Sequence, residues 1–199
     1  MRKHPTFHHE HALDLAAALE FVNTRELESG RLVDRLERPS DASAWFVDHS
    51  VVHAADVGAW TQEDLARVRL IRDALRDVVG AVVEERRPPG TAVDLVNGAL
   101  AGGATPRLEL DGAAVRIGHR HAASSVSDAL ATLAAPIVGE LGSGRPERFR
   151  TCASETCRWT FFDASPTGRR RWCDMKTCGN RAKAARYRQR AKAESSAQA

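Results

Sequence analysis

Four cysteines lie within 27 residues near the C-terminal end of the chain, and the sequence contains no others. They form two pairs of equal spacing, Cys152-x4-Cys157 and Cys173-x4-Cys178, with 15 residues between the pairs. Two such pairs can surround one tetrahedral Zn²⁺, whose thiolate ligands lie at about 2.3 Å. Four protein ligands leave no open position, so the pattern predicts one structural zinc ion. Two disulfides are the alternative, but they require an oxidising compartment, which nothing else in the sequence indicates.

A segment rich in arginine follows the last cysteine. Drawn as an α-helix with about 100° per residue, it has two basic rows on opposite sides: Arg181, Arg188 and Lys192 in one, and Lys183, Arg186 and Arg190 in the other. The side that carries Tyr187 is expected to dock on the zinc module. The opposite side, with Ala182, Ala185 and Gln189, is expected to approach a nucleic-acid groove while the basic rows reach phosphates. A solvated helix that only aids solubility is the alternative.

The candidate DNA contacts all lie in or near this basic region: Arg169, Arg170, Arg171, Lys176, Asn180, Arg181, Lys183, Arg186, Arg188 and Arg190. Asparagine and arginine can form paired hydrogen bonds with adenine and guanine edges in the major groove. Asn180 and Arg181 also have a structural interpretation. In that interpretation Asn180 caps the helix and Arg181 stays beside the metal thiolates as a counter-charge.

The charge of the chain is divided unevenly. Residues 148–199 contain 13 Lys and Arg against 4 Asp and Glu, whereas residues 1–147 contain 16 against 22. The overall net charge of +3 therefore describes neither part. This asymmetry indicates an acidic body that carries a nucleic-acid-binding tail.

Residues 1–147 are predicted to form a mostly helical domain with one β-hairpin. The predicted helices span residues 11–22, 61–86, 91–102 and 124–141, and the hairpin spans 107–120. Thr61 and Asp64 have the spacing of a helix cap. Pro136 is expected to kink or end the last of these helices. Residues 23–41 are read as a polar stretch, followed by a short aromatic segment around Trp45.

Residues 148–199 are predicted to form a separate zinc module after a linker at 142–146. Aromatic residues flank a Ser-Pro-Thr-Gly turn, which indicates a β-hairpin over 158–172 carrying both cysteine pairs. Trp159, Phe161 and Trp172 would form its small core, and the metal would supply the missing folding energy. The predicted fold class is therefore α+β, with a treble-clef or ribbon-like zinc module in which a hairpin precedes a basic helix.

The stretch from Cys152 to Arg188 resembles the CGNR zinc finger, most clearly in Cys178-Gly179-Asn180-Arg181 and in Arg170-x-Trp172-Cys173. Residues 13–24, which include Phe21-Val22-Asn23-Thr24, resemble the opening of the ABATE domain that accompanies this finger. The resemblance implies a stress-induced bacterial transcription regulator that binds DNA through the finger.

The N-terminal domain is expected to sense a signal, such as a small-molecule ligand, or to form a homodimer. A histidine-rich start could bind a transition metal: His4, His8, His9, Glu10 and His11. Residues 23–25 could line a ligand pocket, although helix capping and surface exposure are the favoured interpretation.

Other functional classes are less well supported by the sequence. It has no phosphate-binding glycine loop and no HExxH motif, so an enzyme is not expected. No apolar run is long enough to span a bilayer, and the start lacks a secretory apolar region, so a cytoplasmic location is expected. Binding of RNA or protein, or a redox switch in which thiol oxidation releases zinc, remain alternatives to DNA binding.

Overall fold

The computed structural model describes residues 15–28, 30–55, 57–103, 105–111, 114–120, 125–142 and 145–197. These residues form an α+β fold with six α-helices and three two-stranded antiparallel sheets. In chain order the elements are α1 (Leu15–Val22), β1 (Arg25–Glu28), β2 (Arg31–Asp34), α2 (Pro39–Asp48), α3 (Gln62–Val83), α4 (Gly90–Ala101), β3 (Thr105–Asp111), β4 (Ala114–Arg120), α5 (Ser125–Gly142), β5 (Phe149–Thr151), β6 (Thr160–Phe162) and α6 (Asn180–Ala197). None of the described helices is long and apolar enough to cross a membrane.

The longest helix, α3, lies at the centre of the N-terminal domain and begins where the sequence predicts. The Thr61 side chain accepts a hydrogen bond from the backbone N–H of Asp64 (3.2 Å), and the Asp64 carboxylate accepts one from the backbone N–H of Thr61 (2.8 Å). This capping box satisfies backbone donors that the first turn leaves free. The apolar stripe of α3 is buried against α1, α2, α4 and α5.

Two further predicted elements are confirmed. Helix α4 ends immediately before Gly102, and the hairpin pairs β3 with β4 from Thr105↔Arg120 to Asp111↔Ala114. The alternation of apolar and polar residues was sufficient to identify the hairpin because a strand has a side-chain period of two.

Helix α5 continues through Pro136, so the expectation that proline could end it is wrong. Proline removes one helical hydrogen bond and costs about 3 kcal/mol in a helix interior. Leu133 and Ile137, on either side of Pro136, are both fully buried in the core. Burial of a large apolar side chain contributes about 1.5–3 kcal/mol, so packing of the two helix halves offsets the cost of the proline.

The stretch over residues 23–41 is not merely polar, because it contains the β1–β2 hairpin. Its strands pair from Arg25↔Asp34 to Glu28↔Arg31. The aromatic segment that follows is helical, since Trp45 and Phe46 lie in α2 and Phe46 is fully buried. The hairpin has one apolar cross-strand pair, Leu27 with Leu32, and Leu32 is 54% exposed, so polar contacts with another element must help to set its position.

Three arginines on successive turns of α3 make those contacts. Arg69 donates to the backbone carbonyls of Leu36 (2.8 Å) and Glu37 (3.2 Å), and Arg76 donates to the carbonyl of Arg25. Between them lies Arg72, whose guanidinium makes four hydrogen bonds.

The Arg72 side chain is only 1% exposed, which is rare for an arginine and requires paired acceptors. Its guanidinium donates to both carboxylate oxygens of Asp34, at 2.7 and 2.9 Å, and to Asp73 at 3.0 Å. It also donates to the Thr24 hydroxyl at 3.3 Å. One buried cation therefore joins α3 to the end of α1 and to the end of the hairpin.

The β5–β6 sheet of the zinc module shares the core of the N-terminal domain. Phe149 in β5 is 2% exposed within the main core cluster, and its ring packs edge-on against Phe162 at 5.4 Å. Strand β5 contacts α3, and β6 contacts α1. Part of the predicted linker, residues 143 and 144, lies outside the described residues, and the boundary at 147/148 stays a prediction.

We expect Asp34→Asn to lower the free energy of unfolding by about 3 kcal/mol at neutral pH, because it leaves a buried guanidinium without its main carboxylate. Burial opposes ionisation of Asp34, but hydrogen bonds from Arg72 and from the backbone N–H of Leu36 outweigh it, and the pKa of Asp34 lies below its usual value. A carboxylate with a lowered folded-state pKa stabilises the protein above its unfolded pKa of about 3.9, and that contribution is lost as the pH falls through the folded value.

The difference between the variant and the parent should therefore shrink as the pH falls below about 4. Urea unfolding measured over a pH series tests this, with the exposed Asp48 changed to Asn as the matched control. A difference that stays constant across the series would show that the Asp34 charge does not stabilise the fold.

Candidate metal centre and nucleic-acid interface

The four cysteines converge on one point. Their Sγ atoms all lie within 4.8 Å of one another, and the Cys157–Cys173 and Cys173–Cys178 separations are both 3.7 Å. In a regular tetrahedron with zinc–sulfur bonds of about 2.3 Å, neighbouring sulfur atoms are about 3.8 Å apart. All four cysteines are free rather than joined as disulfides. The cluster thus has the ligands, number and spacing to bind one zinc ion.

The first cysteine pair is shaped by backbone hydrogen bonds at the end of β5. The N–H of Cys152 donates to the carbonyl of Trp159 (2.8 Å), which closes the segment between them. Inside it, the N–H groups of Cys157 and Arg158 both donate to the carbonyl of Ser154, at 3.0 and 3.1 Å. Arg158 adopts a left-handed conformation with φ of 60°, which turns the chain back toward β6.

The second pair depends on side-chain caps. The Asp174 carboxylate accepts hydrogen bonds from the backbone N–H (2.7 Å) and the hydroxyl (2.9 Å) of Thr177, which starts a short π-helical turn over Met175–Gly179. That turn places Cys178, 2% exposed, directly before α6. The Arg170 guanidinium donates to the carbonyl of Cys173 at 2.5 Å and lies over the Phe161 ring at 5.1 Å.

The thiols have unequal acidity. Burial raises the pKa of Cys157 to about 11 and also raises the pKa of Cys173. Burial also opposes ionisation of Cys152, but hydrogen bonds from the backbone N–H groups of Cys173 and Ser154 outweigh it and lower the pKa of that thiol. A bound divalent cation supplies the positive charge that four thiolates in this small volume require. Arg181, with its guanidinium 3.8 Å from the Cys178 sulfur, adds a second positive charge.

The strands of the zinc module differ from the predicted placement. Strand β6 pairs with β5 in the register Phe149↔Phe162 to Thr151↔Thr160, so the partner of β6 precedes the first cysteine pair. The segment after β6 forms a loop around the fully buried Asp163. The Asp163 carboxylate accepts hydrogen bonds from the backbone N–H groups of Ser165 (3.0 Å) and Arg170 (2.7 Å), so the donors a strand would need are already used. The predicted small core is present, with Phe161 buried and Trp159 and Trp172 partly buried.

Asn23 joins the N-terminal domain to the zinc module. Its amide nitrogen donates to the carbonyl of Thr160 (2.8 Å), and its amide oxygen accepts from the N–H of the same residue (2.9 Å). Asn23 and Thr24 are each 4% exposed, so the expectation of surface exposure is wrong for both. Thr24 instead donates to the carbonyl of Phe21 (2.8 Å), and Trp159 donates its indole N–H to Glu26.

An open cleft of about 380 Å³ lies between the β1–β2 hairpin and the cysteine cluster. Its lining includes Glu26 and Leu27 from the hairpin, and Cys173 and Arg181 from the zinc module. The metal cluster is therefore approached from solvent along a surface that both parts of the chain form.

The predicted DNA contacts fall into two groups. The first group is exposed and, within the described residues, has no side-chain hydrogen bond to a cysteine: Arg169, Arg171, Lys176, Asn180, Lys183, Arg186, Arg188 and Arg190. The second group has structural contacts: the half-buried Arg170 donates to the Cys173 carbonyl, and the exposed Arg181 lies beside the Cys178 sulfur. The side-chain amide of Asn180 donates to the carbonyl of Lys176 at 3.0 Å, and the turn before α6 is capped by Asp174.

The expected docking of Tyr187 on the zinc module is wrong, because Tyr187 is 75% exposed. Helix α6 contacts the π-helical turn, and in its first two turns the partly covered residues are Ala182 and Ala185. The covered side of α6 is therefore opposite to the predicted one.

The histidine-rich start of the chain, from His4 to His11, lies outside the described residues, so the metal-sensing hypothesis stays a prediction. Sequence reasoning missed the bridging role of Asn23, although the family-like segment that contains it was recognised. It also missed Arg72, since one arginine in a charged helix gives no local indication of burial.

A helical domain completed by a four-cysteine zinc module defines the class of this protein. Two family models match the chain: the CGNR zinc finger over residues 148–191, and ABATE, described as "Putative stress-induced transcription regulator", over residues 15–144. Because the ABATE match covers more than half of the sequence, the protein belongs to the ABATE family, and it carries a CGNR zinc finger at its C-terminal end. The resemblance expected from the sequence is confirmed. Comparison with curated proteins gives no match.

We expect Cys178→Ala to reduce bound zinc from one ion per chain to none, because three thiolates hold zinc far less tightly than four. Metal analysis after dialysis against a chelator measures the stoichiometry. Hydrogen exchange should rise over residues 152–180 and stay slow in α3, whose buried stripe does not include the cysteines. Thr167→Ala, in an exposed loop of the same module, is the control and should keep its zinc. Full zinc retention by the cysteine variant would rule out a four-thiolate site.

We expect Asn23→Ala to destabilise the protein by about 2–4 kcal/mol, because it leaves the buried N–H and C=O of Thr160 without partners. Thermal or urea unfolding measures this loss. The exposed Asn97 on α4 gives the matched control, since Asn97→Ala removes the same side chain at a position without buried partners. Equal stability of the two variants would show that Asn23 does not couple the two parts.

Proposed function

We propose that this protein is a zinc-dependent transcription regulator that binds DNA through the exposed basic helix α6. The observation that carries the proposal is the direct continuity between the metal cluster and that helix. Cys178 lies in the turn that leads into α6, so the metal site sets where the helix begins.

The charge of α6 suits a polyanionic partner. The helix contains six Lys and Arg residues against one Glu, and Lys183, Arg186, Arg188 and Arg190 are exposed. No ion pair is found for these four in the described part of the chain. Nucleic-acid phosphates release condensed counterions when such side chains neutralise them, which is the main source of non-specific affinity.

The length of α6 also suits a groove. Its 18 residues correspond to a rod of about 27 Å at 1.5 Å per residue. None of the described side chains of α6 is buried, so the helix contributes little to the protein core. Its composition is explained by a partner outside this chain.

The N-terminal domain has an orienting role in this proposal. Asn23 fixes β6 from one side, and Phe149 anchors β5 in the core of the domain. Binding of a ligand or a second subunit to the N-terminal domain would thus also affect the finger, because the two are held together by these contacts. Signal sensing and dimerisation are both compatible with this arrangement.

We expect duplex DNA to bind with an affinity that falls steeply as salt rises. Removing two exposed phosphate contacts, with Lys183→Ala and Arg190→Ala together, should make the slope of log K against log salt shallower by about 2, or 0.9 per contact. Fluorescence anisotropy with a mixed-sequence duplex measures the slope, with zinc assayed on the same sample. Arg87→Ala, at an exposed arginine far along the chain from the finger, is the control and should leave the slope unchanged.

Competition with a structured RNA separates the two nucleic acids. Preferential binding of RNA would show that the finger is an RNA-binding module rather than a DNA-binding one. One zinc per chain with no nucleic-acid binding at low salt would contradict the proposal and make the finger a protein-interaction module.

A further inference from the structure

Helix α6 presents one continuous exposed line of uncharged residues. Asn180, Ala184, Tyr187 and Ala191 are all exposed and lie within about 60° of one another around the helix axis. We refer to these four residues as the central line. Ala182 and Ala185, roughly on the opposite side, are partly covered by the protein. From residue 180 to residue 191, the central line is thus a side of α6 that a partner can reach.

Basic side chains border the central line on both sides. Arg181 and Arg188 lie about 80–100° to one side of it, and Lys183 and Arg190 lie about 60–80° to the other. Arg188, Lys183 and Arg190 are exposed and free to extend to either wall of a groove. A helix with small uncharged residues in the middle and cations on both flanks is complementary to a major groove, whose floor is formed by base edges and whose walls are phosphates.

Resting on the proposed DNA-binding function, we infer that the central line faces the floor of the DNA major groove and that Asn180 and Tyr187 determine sequence preference there. The preferred base pairs are A·T. This assignment reverses the side of the helix that the sequence alone suggested.

The side-chain amide of Asn180 is already oriented by a hydrogen bond and has free groups for a contact with adenine. Its amide nitrogen has two hydrogens, and one of them is used by the carbonyl of Lys176 at 3.0 Å. The second N–H and the amide oxygen remain for the N7 acceptor and N6 donor of adenine. Because the amide is already oriented by Lys176, binding requires little loss of side-chain freedom.

Tyr187 supplies the apolar contact. The Tyr187 ring is 75% exposed, and it packs against no other ring within the described residues. The C5-methyl group of thymine is the apolar feature of the major groove, and side chains such as alanine and aromatics contact it. Ala184 and Ala191, on the same line, allow the helix axis to come close to the base edges.

The test compares sequence preference among single variants. A preferred duplex is first selected by the intact protein from a randomised library, and its affinity is then measured against a scrambled duplex at one salt concentration. Asn180→Ala and Tyr187→Ala should each reduce the ratio of the two affinities by about tenfold, while affinity for the scrambled duplex changes little. Tyr187→Phe keeps the ring and should retain most of the preference. Gln189→Ala is the matched control, because Gln189 is exposed on the side opposite Asn180 and should leave the ratio unchanged.

Zinc content and helicity are measured for every variant, so that a folding defect is recognised. Loss of preference in Gln189→Ala with none in Asn180→Ala and Tyr187→Ala would overturn the assignment. Salt-sensitive duplex binding without any sequence preference would also overturn it, while leaving the proposed DNA-binding function intact. A change of oligomeric state in Tyr187→Ala, with unchanged preference, would assign that ring to a protein contact instead. Failure of the intact protein to bind duplex DNA would remove both proposals together.

Discussion

The buried guanidinium of Arg72 imposes a constraint that extends through most of the molecule. A charge removed from water must be paired and fully hydrogen-bonded, and carboxylates from β2 and α3 meet that requirement here. Asp34 therefore has to lie beside α3, and the β1–β2 hairpin follows it. The same hairpin brings Glu26 to Trp159, while Thr24, which also contacts Arg72, is adjacent to the bridging Asn23. Neutralisation of Arg72 thus supports one of the contacts that hold the zinc module, the hydrogen bond from Trp159 to Glu26.

The zinc module is stabilised in two ways, by apolar packing and by the metal cluster. Its sheet is anchored by aromatic side chains in the larger core, whereas its cysteine loops have few apolar contacts and depend on the metal cluster. Asp163 and Asp174 organise the loops by accepting backbone N–H groups, and Arg170 connects them through the Cys173 carbonyl. Helix α6 then projects from an ordered base while contributing little to the core. Because α6 is not needed for the core, its basic side chains remain available to a partner.

The sequence predicted the elements whose position is determined by residues close together in the chain. The cysteine spacing identified the metal cluster, the Thr61–Asp64 cap identified the start of α3, and alternation identified the β3–β4 hairpin. The β1–β2 hairpin was missed because its stability comes from arginines about 40 residues away in the chain. Likewise, the three-residue strands β5 and β6 are too short to give a periodic pattern, and their pairing is set by Phe149 and Asn23. The covered side of α6 could not be inferred from composition, since both uncharged sides contain small residues.

The burial of Phe149 in the N-terminal core has a consequence for how the chain is made. Synthesis proceeds from the N-terminus, and domains generally fold as units in that order. Here the last large side chains of the core, Phe149 and its neighbour Phe162, leave the ribosome after α1 to α5 are complete. The N-terminal core is therefore completed only after residues 149–162 have been synthesised. The last zinc ligand, Cys178, follows Phe162 by 16 residues, so the core receives its last aromatic side chains before the metal site has all of its ligands.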